Sequence, residues 1–253
     1  MRGRWIGLSR PRRFLTDLLH FAAKVPTVPV QRKMALGEVA AARTAAPDRP
    51  SWPAIFLKAY ACVAADFAPL RRAYVALPWP HLVEYPKTIA SLAVERQFED
   101  EPCVFFGRIG NPETRPLAEI HSKIRHFAEA PLETVSSYRE MLTFAAIPRP
   151  IRRALFWLGL NLSSARPGKF GTFGLSVYSS LKAESLHPIS PLTTTFNYGV
   201  IDPDGTVWVR LVYDHRVFDG ATAARALDRL EAVLTGPILA ELRAMAPTAR
   251  VAA

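Results

Sequence analysis

Apolar residues recur along this chain at two periods. Phe14, Leu18, Phe21 and Ala22 fall at helical spacing and predict a helix that packs on a domain. Val25 to Met34 is β-branched and extended, and Pro26 and Pro29 mark it as an edge strand. Leu36 to Ala46 reads as a short helix stopped by Pro47. Trp52 to Phe67 is apolar nearly all round, as a buried helix must be, with Ser51 as N-cap and Pro53 in the first turn. Strand-like runs follow at Arg72–Leu77, Lys87–Glu95 and Pro102–Arg108. Leu117, Ile120, Ile124 and Phe127 define one face of an amphipathic helix, and Thr134 to Ala145 predicts another that Pro148 and Pro150 end.

The last third changes character. Gly168 to Tyr178 is glycine-rich and β-prone. Thr193–Ile201 and Val207–Tyr213 read as strands joined by the turn Asp202-Pro-Asp-Gly205. Ala221 to Leu234 is a helix burying Ala223, Leu227, Leu230 and Leu234. Helices and strands alternate without a strict βαβ rhythm, which predicts one α/β domain with a mixed sheet.

Composition supports a globular protein: 253 residues, 49% hydrophobic and 21% charged. The longest apolar run, Ala154 to Leu162, is about half of what a bilayer requires and contains Asn161. Cys62 and Cys103 form no CxxC pair, which excludes a zinc ribbon and a disulfide scaffold and implies a reducing, cytoplasmic setting. Net charge is +10, and five arginines (Arg2, Arg4, Arg10, Arg12, Arg13) with no acid supply half of it within residues 1–13. We read 1–13 as a basic N-terminal tail, 14–245 as the domain and 246–253 as a C-terminal tail. Arg12-Arg13-Phe-Leu is similar to a twin-arginine start, yet Asp17, His20 and Lys24 interrupt the apolar core such a signal needs. No nucleic-acid motif accompanies the charge, so no nucleic-acid partner is expected. A membrane surface, a phosphopantetheine arm or coenzyme A suits the charge equally.

Six histidines offer chemistry. His121 and His126 are five apart, which misses metal-pair spacing on a helix, and no metal is expected. His81 and His187 lie in proline turns without evident partners. His215 follows a strand within Tyr213-Asp-His-Arg-Val-Phe-Asp-Gly-Ala221. Its spacing to Asp219 and Gly220 admits two readings: a packed histidine followed by a helix cap, or a catalytic base.

The longer string Tyr-Asp-His-Arg-Val-x-Asp-Gly-Ala-x-x-Ala-Arg, over 213–225, resembles the active-site signature of the 2-oxoacid dehydrogenase acyltransferases. Ile55-Phe-Leu-Lys-Ala59, Leu117 to Ala130 and Gly171-Thr-Phe-Gly-Leu-Ser176 extend the resemblance over roughly residues 20–236. It implies a chloramphenicol acetyltransferase-like fold, a two-layer α/β sandwich with a mixed sheet. It further implies that His215 is the general base and Ser176 the oxyanion donor. Asp219 would hold the histidine turn by capping the helix and pairing with an arginine, Arg216 being the local candidate. The assembly implied is a homotrimer, or a multiple of three, with shared active sites. The co-substrate implied is an acyl thioester of coenzyme A or of a carrier protein, with no tightly bound cofactor.

The chain departs from that family in three places. It contains no lipoyl domain, so a stand-alone enzyme is expected. Val177-Tyr-Ser-Ser-Leu replaces the family's Asn-Leu-Gly after the serine, which makes Thr172, Ser179 and Ser180 rivals of Ser176. An added segment, Ala146 to Gly168, has three readings: the lining of a lipophilic acyl site, a peripheral membrane contact through 149–160, or a buried helix at a subunit contact. A non-catalytic trimeric scaffold or binding module of the same fold is the alternative function.

Overall fold

The computed structural model describes residues 3–178 and 181–246. Ser9 caps helix α1 (Arg10–Ala22) by accepting the Arg12 N–H, and Pro11 takes the first turn, where its missing donor costs nothing. Helix α1 thus starts inside the basic stretch. Strand β1 (Thr27–Ala35) follows, then α2 (Gly37–Ala45), α3 (Trp52–Asp66), β2 (Arg72–Val75) and β3 (His81–Glu84). The middle third holds β4 (Ile89–Phe98), β5 (Glu101–Gly110), α4 (Leu117–Glu129), α5 (Ser136–Ala145) and α6 (Arg149–Asn161). Then come α7 (Arg166–Phe170), β6 (Phe173–Leu175), β7 (Thr194–Tyr198), β8 (Thr206–Asp214), α8 (Gly220–Val233) and α9 (Leu239–Met245).

Six strands form one mixed sheet in the order β1-β8-β7-β6-β4-β5, with β6 parallel to both neighbours and every other pair antiparallel. The single mixed sheet is the one expected. Strand β1 lies at its edge, where Pro29 is tolerated because only β8 pairs with it. The 202–205 turn joins β7 to β8 as the sequence indicates, and Gly205 carries the left-handed φ of 82° that the turn requires. Strand β3 was not foreseen: four residues are too few for an alternation to show, and they pair only with β2 in a separate ribbon. Pro148 and Pro150 end α5, but the chain restarts at once. Pro148 precedes α6 and Pro150 sits in its first turn.

Helices α3, α4 and α8 cover one face of the sheet. Tyr60 stacks on Phe196 at 4.5 Å and donates to Thr194 Oγ1 at 2.8 Å, while Phe56 stacks on Tyr198 at 4.2 Å. Helices α1 and α6 lie over the opposite face, on the β4–β5 side, around a second apolar cluster. There Phe14 meets Phe156 at 5.1 Å and Phe106 at 6.2 Å.

The link between α1 and α6 is ionic. Asp17, 1% exposed, accepts from Arg152 and, at 2.9 Å, from Arg153. Arg152 is buried too, and its Nη1 donates to the carbonyls of Ala145 and Ile147. Both carboxylate oxygens of Asp17 are hydrogen-bonded to a guanidinium, the condition under which a buried pair is tolerated. Removing one partner strands the others. Asp17→Asn is expected to lower stability by about 3–5 kcal/mol, read as a shift in the urea midpoint with an unchanged slope.

Candidate active site

Strand β8 ends at Asp214, and the next turn is fastened from several sides. Asp214 N–H donates to Thr193 O at 2.8 Å, and His215 N–H donates to Pro26 O at 3.0 Å. The Asp214 carboxylate is fully buried and accepts three bonds from Arg216: its backbone N–H at 3.0 Å, Nε at 2.9 Å and Nη2 at 2.7 Å. The Arg216 guanidinium stacks over Tyr74 at 4.3 Å, and Tyr213 stacks on Phe218 at 5.0 Å. With its backbone so fixed, the His215 imidazole projects to the surface, about half exposed. The packed-core reading of this histidine does not hold.

The part played by Asp219 differs from expectation. Its backbone stands at the N-cap of α8, but its carboxylate makes no capping hydrogen bond and is 85% exposed. Arg216 is committed to Asp214 and not to Asp219. The Asp219 carboxylate instead faces His215, Oδ1 to Nδ1 3.6 Å, four residues along the chain. Asp214, beside His215 in the 213–225 string, is the residue that holds the turn. Its identity was readable in the sequence, but burial was not.

Ser176 directly follows β6, is 9% exposed, and its N–H donates to Phe196 O at 3.2 Å. Its Oγ makes no hydrogen bond to another described residue. Thr172, a rival, is already occupied: its Oγ1 accepts from Ile89 N–H at 2.9 Å and donates to Ile89 O at 3.2 Å. Ser179 and Ser180 lie outside the described residues. Gly171 permits this clamp, since its φ is 90° and a Cβ would stand 2.9 Å from Ile89 O.

Strand register separates the two candidate residues. Leu175 pairs with Phe196, so Ser176 lies level with Asn197 and Arg210. His215 lies level with Leu192, five residues back from Asn197 along the line of β7 and two strands away. At ~3.3 Å per residue and ~4.8 Å between strands, the two positions are on the order of 20 Å apart. One chain does not bring Ser176 to its own His215.

Sequence reasoning missed the polar row beside Ser176. Asn197 is 1% exposed, and neither of its amide atoms has a partner among the described residues. Next to it Arg210 donates to Gln31 at 2.9 Å and to Glu184 at 2.7 Å, leaving Nη1 unpaired. The Arg210 hydrogen bond is the main cause that holds the Glu184 carboxyl below the usual range. Alternation along β7 was the available signal: Thr193, Thr195 and Asn197 share the face away from α3. Among the remaining histidines, His187 is not partnerless, since its ring meets Thr27 Oγ1 at 2.8 Å. His121 accepts from the Ser51 N–H at 3.2 Å.

The two aspartates should respond differently to substitution. Asp214→Asn is expected to cost about 1–3 kcal/mol, the loss of charged hydrogen bonds in a buried place. Asp219→Asn should leave the melting temperature unchanged. Parallel thermal melts of the two variants check both.

No protein-family model and no curated protein matches the sequence. Solved structures do match the fold. The dihydrolipoamide acetyltransferase of Azotobacter vinelandii superposes with a TM-score of 0.70 at 19% identity, covering 96% of this chain and 94% of that one. That structure was studied for the catalytic roles of a serine, a histidine and an asparagine four positions after the histidine. The cubic core of a pyruvate dehydrogenase multienzyme complex gives 0.65 at 18% identity, covering 96% and 94%. A chloramphenicol acetyltransferase gives 0.52 at 15% identity, covering 90% and 96%. The chain therefore has the fold of the 2-oxoacid dehydrogenase acyltransferase cores and of chloramphenicol acetyltransferase.

Proposed function

We propose that this protein is an acyltransferase, moving an acyl group from a thioester of coenzyme A or of a carrier protein to a thiol, hydroxyl or amine. The observation that carries the reading is the His215 turn: an exposed imidazole on a rigidly fastened backbone, in a fold shared with acyltransferase cores. A non-catalytic scaffold would not require a base held in this way.

In this reading Asp219, facing Nδ1, favours the tautomer with its proton there. Nε2 then takes the proton of the acceptor as it attacks the thioester carbonyl. The oxygen of the tetrahedral intermediate gains a full charge, which Ser176 Oγ–H stabilises. Collapse expels the donor thiolate, which recovers the proton from the imidazolium. The donor enters and leaves as co-substrate, and no tightly bound cofactor takes part.

Because one chain holds Ser176 and His215 on the order of 20 Å apart by register, the complete site lies between copies. A homotrimer, or a multiple of three, is the assembly proposed. The unpaired Asn197 amide and Arg210 Nη1, in the same row as Ser176, support a site that is finished by groups from outside the chain. The cytoplasm, where acyl thioesters and the free thiols of Cys62 and Cys103 coexist, is the proposed location. Among the described residues no helix is long and apolar enough to cross a membrane.

His215→Ala is expected to lower turnover by about 10²–10⁴ and Ser176→Ala by about 10²–10³, each with the assembly intact by light scattering. Co-assembly of the two inactive variants should restore part of the activity, since some interfaces then join an intact histidine to an intact serine. A fully active monomer, or verified mixed oligomers without recovery, would refute the shared site. Full turnover by His215→Ala would refute the mechanism.

A further inference from the structure

The added segment, together with α1 and α5, walls a cavity. Helix α6 spans the β4–β5 side of the sheet together with α1, and between them and the sheet lies a space of about 870 Å³. Phe14 and Leu18 of α1, Phe106 of β5, Phe156 and Leu158 of α6 and Phe170 of α7 wall it with aromatic and aliphatic groups. Along α6, Leu155, Leu158 and Leu162 line the same space and are each only about half buried. An apolar helix face left open to an apolar hollow is costly in water unless something fills it.

Three observations say what fills it. The first is place. Ser91 on the cavity floor is level with Gly174 of β6, and Ser176 lies two residues further on the same face. The two Cα positions are thus ~8 Å apart, within reach of a thioester carbonyl set against Ser176. The second is size. At ~30 Å³ per methylene, close to the share of one water in the liquid, a sixteen-carbon chain fills roughly half of the space. An acetyl group would leave it almost empty.

The third is charge. Among the lining side chains Arg108 pairs with Glu140 at 2.7 Å, and Lys169, largely exposed, reaches the same carboxylate at 3.7 Å, so two cations share one acid. That surplus admits an amphiphile with an anionic head. Inside, Ser137 Oγ is buried without a partner, the one unpaired buried side-chain oxygen among the described lining residues.

We infer that this cavity takes the chain of a long fatty acyl group and so sets the acyl specificity of the enzyme. The inference rests on the acyl-transfer reading for its catalytic part, but the binding of a long chain is separable from it. The added segment is then the lining of a lipophilic site, and its outer surface is free for other contacts.

The test is direct binding followed by turnover. Titration calorimetry of the full chain with palmitate, below its micellar concentration, is expected to show saturable binding. Leu158→Asp should weaken it at least tenfold. Leu158→Trp, which narrows the space without adding charge, serves should the aspartate variant fail to fold by circular dichroism. Ile151→Asp, exposed on α6 and outside the cavity, should leave binding unchanged. In turnover, the ratio of palmitoyl-CoA to acetyl-CoA kcat/KM should exceed one and fall at least tenfold in the Leu158 variants.

Absence of saturable palmitate binding would overturn the inference, as would equal binding in folded Leu158→Asp and Leu158→Trp. His215-dependent acetyl transfer without palmitate binding would overturn it while leaving the acyltransferase reading intact. Palmitate binding lost in the Leu158 variants, with no transfer from any thioester, would uphold the cavity and refute the enzyme. Recruitment to phosphatidylglycerol vesicles without palmitate binding to the free chain would assign α6 to a membrane surface instead.

Discussion

The pairing of β6, β7 and β8 sets how far one chain can carry the chemistry. β6 runs parallel to β7 and β7 antiparallel to β8, so the segments leaving β6 and β8 depart from opposite ends of the sheet. A slip of one residue would turn Phe196 and Tyr198 away from Tyr60 and Phe56, on which they stack. The register is locked by that burial, and no side-chain rotation closes a gap on the order of 20 Å. Association of copies is the remaining route by which the two residues can meet.

The same geometry explains why the histidine turn is held so tightly. In the proposed mechanism, a base that meets a neighbour's serine gains from a backbone that does not move, because small misplacements are expensive in rate. Asp214 supplies most of the hold by burying its carboxylate against Arg216, which in turn lies on Tyr74. The Tyr74 carbonyl accepts from Arg166 at 2.9 Å, and Arg166 also bonds the carbonyls of Leu160 and Pro191. Arg166 belongs to α7, and Pro191 lines the apolar cavity. The added segment is thus tied to the histidine turn through a continuous chain of contacts.

Much of this was legible in the sequence because it depends on local pattern. The edge strand with its prolines, the buried helix over 52–66, the 202–205 turn and the His215 string each carry a period or a spacing that one chain displays. What escaped depends on burial or on distant partners. Asp17 reads in sequence only as an interruption of an apolar run, whereas in the fold it is the buried anchor for Arg152 and Arg153. Asp219 reads as a cap with an arginine partner, because proximity in sequence favours Arg216. In space Asp214 is better placed, being buried and two residues from Arg216. Asn197 gave no signal of its own, since an unpaired amide is visible only once its surroundings are known.

The face of the sheet away from α3 is divided by physics into two halves. Over β4 and β5 it carries Phe106 beside Ser91 and Arg108 and is covered by the chain's own α1 and α6, stapled by the Asp17 cluster. Over β6, β7 and β8 it carries Ser176, Thr195, Asn197 and Arg210, and the only described contact to the row from the segment after β6 is Glu184 on Arg210. Unpaired buried polar atoms at Thr195, Asn197 and Arg210 cost stability, about 1–3 kcal/mol for each group. Apolar residues of similar size would suit folding better, as the Phe196 and Tyr198 positions on the opposite face demonstrate. Folding alone therefore does not account for the row. Its position beside Ser176, at the place where the proposed neighbour's His215 must arrive, does.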